Sequence, residues 1–105
     1  MAARRETLEE TGVPVRLTGL IRLEHSPVPG GARVRALFLA EPIDDTPPKS
    51  VSDAESLGAA WVSVPDLGRY PLRGHEVEDI LRYLVAGGAV YPLGLLQPEG
   101  EPFPV

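Results

Sequence analysis

The chain has 105 residues, a formal net charge of -5 and no cysteine. That length allows one modest hydrophobic core. The acidic balance leaves no surplus of cations to grip a nucleic-acid polymer or an anionic membrane, and the lack of thiols excludes disulfides, zinc-thiolate sites and cysteine nucleophiles. No apolar run reaches the roughly 18 residues of a membrane span and no signal-like leader opens the sequence, so a cytoplasmic protein is expected.

In chain order, residues 2–11 are good helix formers, stopped by Gly12 and Pro14: glycine suits the left-handed exit position and proline cannot continue a helix. Val15, Leu17, Gly19, Ile21 and Leu23 then alternate with Arg16, Thr18 and Arg22, which predicts a strand over 15–24 with one covered face. "SPVPGGAR" turns the chain at Gly30 and Gly31. A second strand over 33–41, apolar on both parities from Ala36 to Ala40, reads as a central strand covered on both faces.

The stretch "DDTPPKSVSDAES", residues 44–56, has no periodicity and reads as a surface loop. "AAWVSV" predicts a third strand over 59–64, with Trp61 read as core rather than as a base-stacking platform, and "PDLGRYPLRG" is a turn-rich connector. Val77, Ile80, Leu81 and Leu84 lie at helical spacing, predicting a helix over 75–86 that ends at Gly87 and Gly88. The division is thus a domain over 1–91 and a proline-rich tail over 92–105, read as an extended packing or partner-binding segment.

The chemistry concentrates in the first helix. Glu6, Glu9 and Glu10 fall within an arc of about 100° on one face. Like charges at i, i+3 and i+4 destabilise a helix by roughly 0.2–0.5 kcal/mol per pair. Carboxylates in the last turn also oppose the helix dipole. A divalent cation would reverse both effects, and hard oxygen ligands in this number suit magnesium or manganese. From charge alone, a solvated acidic face is the other reading.

The order of residues adds to this. "RETLEETGV", Arg5 to Val13, resembles the second half of the Nudix box, the pattern Arg-Glu-apolar-any-Glu-Glu-any-Gly-apolar. It matches at Arg5, Glu6, Glu9, Glu10, Gly12 and Val13 and departs at Thr7, where an aliphatic residue is usual. "GLIRLEHSPVPGGARVRALFLAEPID" is similar to the strand pair that follows the Nudix helix. "DAESLGAAWVSVPDL" is similar to the family's acidic loop running into a tryptophan-bearing strand. Together with the later "PLR" it resembles the subgroup that cleaves oxidised nucleoside diphosphates.

The resemblance implies an α/β fold, a Nudix-like α/β/α sandwich around a mixed sheet. It implies Mg2+- or Mn2+-dependent hydrolysis of a nucleoside diphosphate linked to another group. Carried over by position, Glu6, Glu9 and Glu10 would hold the metal. Glu6 or a loop acid would help to activate water, and Arg5 would pair with a carboxylate of the helix. The loop acid is Glu55, with Asp53 as second choice. The alternative is a non-catalytic Nudix-like module that binds a nucleotide or a protein.

The glycine and glutamate that begin the family's box fall before Met1, and the first strands of the fold are likewise absent from the sequence. The expectation is therefore a domain lacking its first strands, with an exposed sheet edge that promotes a homodimer or other self-association. The tail over 92–105 could cover part of that gap. His25 and His75 lack metal-ligand spacing and read as surface or capping residues. Arg69, Arg73 and His75 read either as a solvated turn or as a phosphate contact at a helix start.

Overall fold

The computed structural model describes residues 2–72 and 74–104, and it resolves into two compact units. One comprises Met1–Val15 with Pro42–Ala89, and the other Arg16–Glu41 with Val90–Val105. The tail therefore groups with the hairpin.

The first unit holds helix α1 (Ala2–Thr11) and helix α2 (Glu76–Val85), with a 3-10 turn at Val64–Arg69 between them. Glycine ends both helices. Gly12 and Gly87 have φ of 74° and 81°, the left-handed region open to a residue without Cβ. After α2 the Gly87 N–H donates to the Leu84 carbonyl at 3.1 Å and the Gly88 N–H to the Tyr83 carbonyl at 2.9 Å, a complete Schellman stop. Glu76, Glu78 and Asp79 in the first turn of α2 and Arg82 in the last favour its dipole.

The expected strand over 59–64 does not form: residues 59–63 run as irregular chain and Val64 opens the 3-10 turn, with no ladder among the described residues. Strand propensity yields a strand only where a partner offers its N–H and C=O groups, and here the Ala59 N–H donates to the Lys49 carbonyl and the Ser63 carbonyl accepts from the Asp66 N–H, both at 3.0 Å and neither part of a ladder. Without a sheet beneath it Trp61 is 67% exposed, not a core residue as its composition implied.

The second unit is built on an antiparallel hairpin of β1 (Val15–Val28) and β2 (Gly31–Pro42), whose first and last residues, Val15 and Pro42, fall in the first unit. Both strands outrun the stretch set by apolar alternation, because hydrogen bonding continues through the polar residues to the turn at Gly30. β2 is not covered on both faces: Ala36 to Leu39 are only half-buried and the rest of the strand is exposed. A two-stranded sheet makes every strand an edge, so an apolar run on both parities finds no second layer. The mixed sheet of a sandwich is not seen among the described residues.

The free side of β1 is partly covered by Val90 and Tyr91, just before the tail. Leu20 and Tyr91 exchange both backbone hydrogen bonds at 2.8 Å, an antiparallel bridge around the 2% exposed Leu20. Gly19 makes this approach possible, since a Cβ there would lie 2.3 Å from Val90 Cγ1. Gly19→Ala is therefore expected to displace the Val90 and Tyr91 segment at a cost of about 1–3 kcal/mol. Amide exchange at Leu20 and Tyr91 checks it, and should accelerate while exchange in α2 is unchanged.

Candidate active site

The acids of α1 lie on a helix with no buried residue, and Glu6, Glu9 and Glu10 are all exposed. Arg5 Nε approaches Glu9 Oε1 at 3.7 Å. The partner of Arg5 is thus Glu9, one turn on and reached through a single nitrogen, rather than the adjacent Glu6, because neighbouring residues on a helix diverge. Thr7, where the family pattern has an aliphatic residue, turns its hydroxyl back to the Ala3 carbonyl at 2.8 Å.

A helix leaves its last four carbonyls without internal partners. In α1 all four are satisfied, three of them by the loop that follows β2. The Gly12 N–H donates to Leu8 O and the Lys49 N–H to Thr11 O, both at 2.8 Å. The Lys49 ammonium donates to Glu9 O, and the Ser56 hydroxyl donates to Glu10 O at 2.6 Å. No basic residue stands in the last turn of α1. Lys49, forty residues further along, supplies the positive charge that offsets the helix dipole and the nearby carboxylates. Its side chain is only 12% exposed.

Gly12 serves this junction twice. Besides its left-handed backbone, it leaves room for Lys49, whose N and Cβ would sit 3.3 Å from any added Cβ.

Asp53 holds the loop in shape. Its Oδ2 accepts from Lys49 Nζ at 2.8 Å, and its Oδ1 accepts from the N–H groups of Glu55 at 2.8 Å and Ser56 at 3.1 Å. These bonds, the Lys49 ammonium foremost, hold the Asp53 carboxyl at about 2, below its ordinary 3.8. Asp53 is therefore committed to the loop. Glu55, anchored by its own N–H, is exposed, and its carboxylate has no partner among the described residues.

The structure thus fastens the acid-bearing loop to the C-terminal end of the acid-bearing helix. It does not gather the side chains: among the described residues no three carboxylates or histidines are grouped so as to hold a metal ion. Arg73 lies outside the described residues. His75 occupies the N-cap of α2 without a side-chain capping bond. Sequence reasoning missed Lys49 and Ser56; the one available signal was a helix without its own C-terminal cation.

A family model described as the NUDIX domain matches residues 1–84 of the chain. No curated protein matches it.

A carboxyl whose pKa is lowered by folding stabilises the fold above its unfolded value and loses that contribution as pH falls through the folded one. The Lys49–Asp53–Ser56 junction is accordingly expected to be intact above about pH 4 and to open between about pH 4 and 2. The amide shift of Ser56 followed against pH checks this, and Asp53→Asn should abolish the acid step.

Proposed function

The chain belongs to the NUDIX domain family, and from that premise we propose that it hydrolyses a nucleoside diphosphate linked to a further group, with Mg2+ or Mn2+ as cofactor. The donor chemistry fits such an ion, since Glu6, Glu9 and Glu10 are exposed hard-oxygen ligands on one helix. Magnesium keeps several of its waters and takes only one or two protein carboxylates beside the substrate's phosphate oxygens, so ungathered side chains are compatible with it. When bound, the ion neutralises diphosphate charge and makes water a better nucleophile.

The chain's own residues supply the rest. Arg5 steers the Glu9 carboxylate. Glu55, or Glu6, accepts the proton of the attacking water as its oxygen bonds to phosphorus and the diphosphate P–O bond breaks, releasing a monophosphate. The observation that carries this reading is the fastening of the 49–56 loop to the carbonyls of Glu9, Glu10 and Thr11, which unites the two acid-bearing segments the reaction needs.

The ungathered acids favour a second reading, a non-catalytic module that binds a nucleotide or a protein. Both readings place the chain in the cytoplasm and have it self-associate, through the outer edge of β2, which pairs with no strand of the described residues, and through exposed apolar side chains such as Leu57 and Trp61. No helix is long and apolar enough to cross a membrane among the described residues.

On the enzyme reading, the chain releases a monophosphate from some members of a panel of nucleoside diphosphate derivatives only when Mg2+ or Mn2+ is added. Glu10→Gln should lower kcat/KM by at least the roughly 10–100-fold seen when a metal's supporting groups are removed. Nucleotide binding without turnover across the panel would replace this reading with the second. Sedimentation equilibrium tests the association, which a monomer at all concentrations would refute.

A further inference from the structure

The far part of the hairpin carries a second charged cluster, on which the proposed hydrolysis does not draw. Arg22, Glu24 and Ser26 alternate along β1 and so share one face, and Arg33 and Arg35 alternate along β2. The Glu24 carboxylate ties the two strands: Oε1 accepts from Arg35 Nε at 2.8 Å, and Oε2 lies 3.4 Å from Arg22 Nε. A cleft of about 480 Å3 opens here, lined by residues 22–26 with Arg33 and Arg35.

Three guanidiniums thus surround one carboxylate in a chain whose net charge is -5. Glu24 engages Arg22 and Arg35, while Arg33 is exposed and makes no ion pair among the described residues. Neutralising one carboxylate leaves a local excess of two positive charges, with Ser26 on the same face of the strand. The lining is too polar for an apolar ligand, and the volume suits a small molecule. An arginine fork presents parallel N–H donors that match the tetrahedral oxygens of a phosphate.

We propose that the cleft between Arg22, Arg33 and Arg35 is a phosphate-binding site, separate from the acids of α1, which takes a phosphate dianion either free or as a monoester. Glu24 holds two of the arginines in place and at the same time competes with the incoming anion. Arg33 supplies the unsatisfied donors.

The test uses the full chain, labelled with 15N, titrated with inorganic phosphate and separately with adenosine monophosphate, each at constant ionic strength set with sodium chloride. Saturable amide shifts confined to 22–26 and 33–35 are expected with at least one probe. Tighter binding of inorganic phosphate identifies the free ion as the source, and equal or tighter binding of the nucleotide identifies the monoester. Arg33→Lys, which keeps the charge but removes the fork, should weaken binding about fivefold or more, and Arg33→Gln about tenfold or more. Glu24→Gln should tighten it. Arg33 is exposed, so these variants should fold, and their amide spectra confirm it; Arg22→Gln gives an independent second loss. Shifts that track ionic strength without saturating, or Arg33→Lys binding like the parent, would overturn the proposal. So would shifts from an acidic peptide with none from either phosphate.

Discussion

The attachment of Lys49 to the end of α1 is the contact on which the first unit depends. The helix is short, has no buried residue, and carries carboxylates at the end where its dipole is negative. Left alone it would be marginal, since an isolated helix of this length forms poorly in water. One ammonium group answers several of these problems. It caps the Glu9 carbonyl, places a positive charge near Glu9 and Glu10, and binds Asp53, which in turn shapes the loop that delivers Ser56 to the Glu10 carbonyl. The backbone bond from Lys49 to Thr11 and the space left by Gly12 complete the joint.

This arrangement reconciles the stability of the helix with the chemistry proposed for it. Acids that serve a cation must stay exposed and close together, and that is costly for the helix bearing them. Neutralising their carboxylates with side-chain partners would remove the proposed ligands. Lys49 instead works on the backbone carbonyls and on Asp53, so Glu6, Glu10 and Glu55 keep no ion-pair partner among the described residues. Arg5 alone engages one of the α1 acids, and does so at 3.7 Å between exposed groups, a contact of little energetic weight.

In the hairpin unit the same economy is achieved by different means. Leu20 is buried where Tyr91 bridges β1, and the approach is close because residue 19 has no side chain. The opposite end of the hairpin is held by charge: Arg35 holds the Glu24 carboxyl below its ordinary range through its hydrogen bond, with further help from the charges of Arg35, Arg22 and Arg33. The outer edge of β2 has no strand partner among the described residues, which is why the proposed self-association is assigned to it.

What the sequence by itself determined is local. The α1 stop at Gly12 and the α2 stop at Gly87 and Gly88 follow from backbone freedom, and the alternation from Val15 to Leu23 follows from the pleat of a strand. The identity and order of Arg5, Glu6, Glu9 and Glu10 named a family for the same reason: the pattern lies within nine residues. Tertiary structure decided everything that needed a distant partner. Residues 59–64 have strand-like composition yet form none, because a strand exists only when another strand accepts its hydrogen bonds, and Trp61 is exposed as a consequence. Lys49 and Ser56 looked like ordinary loop residues, and nothing nearby in the chain marked them as the cap of a helix some forty residues earlier. A side chain's type is written in the sequence, but the group that satisfies it is set by which segments come within about 3 Å in the fold.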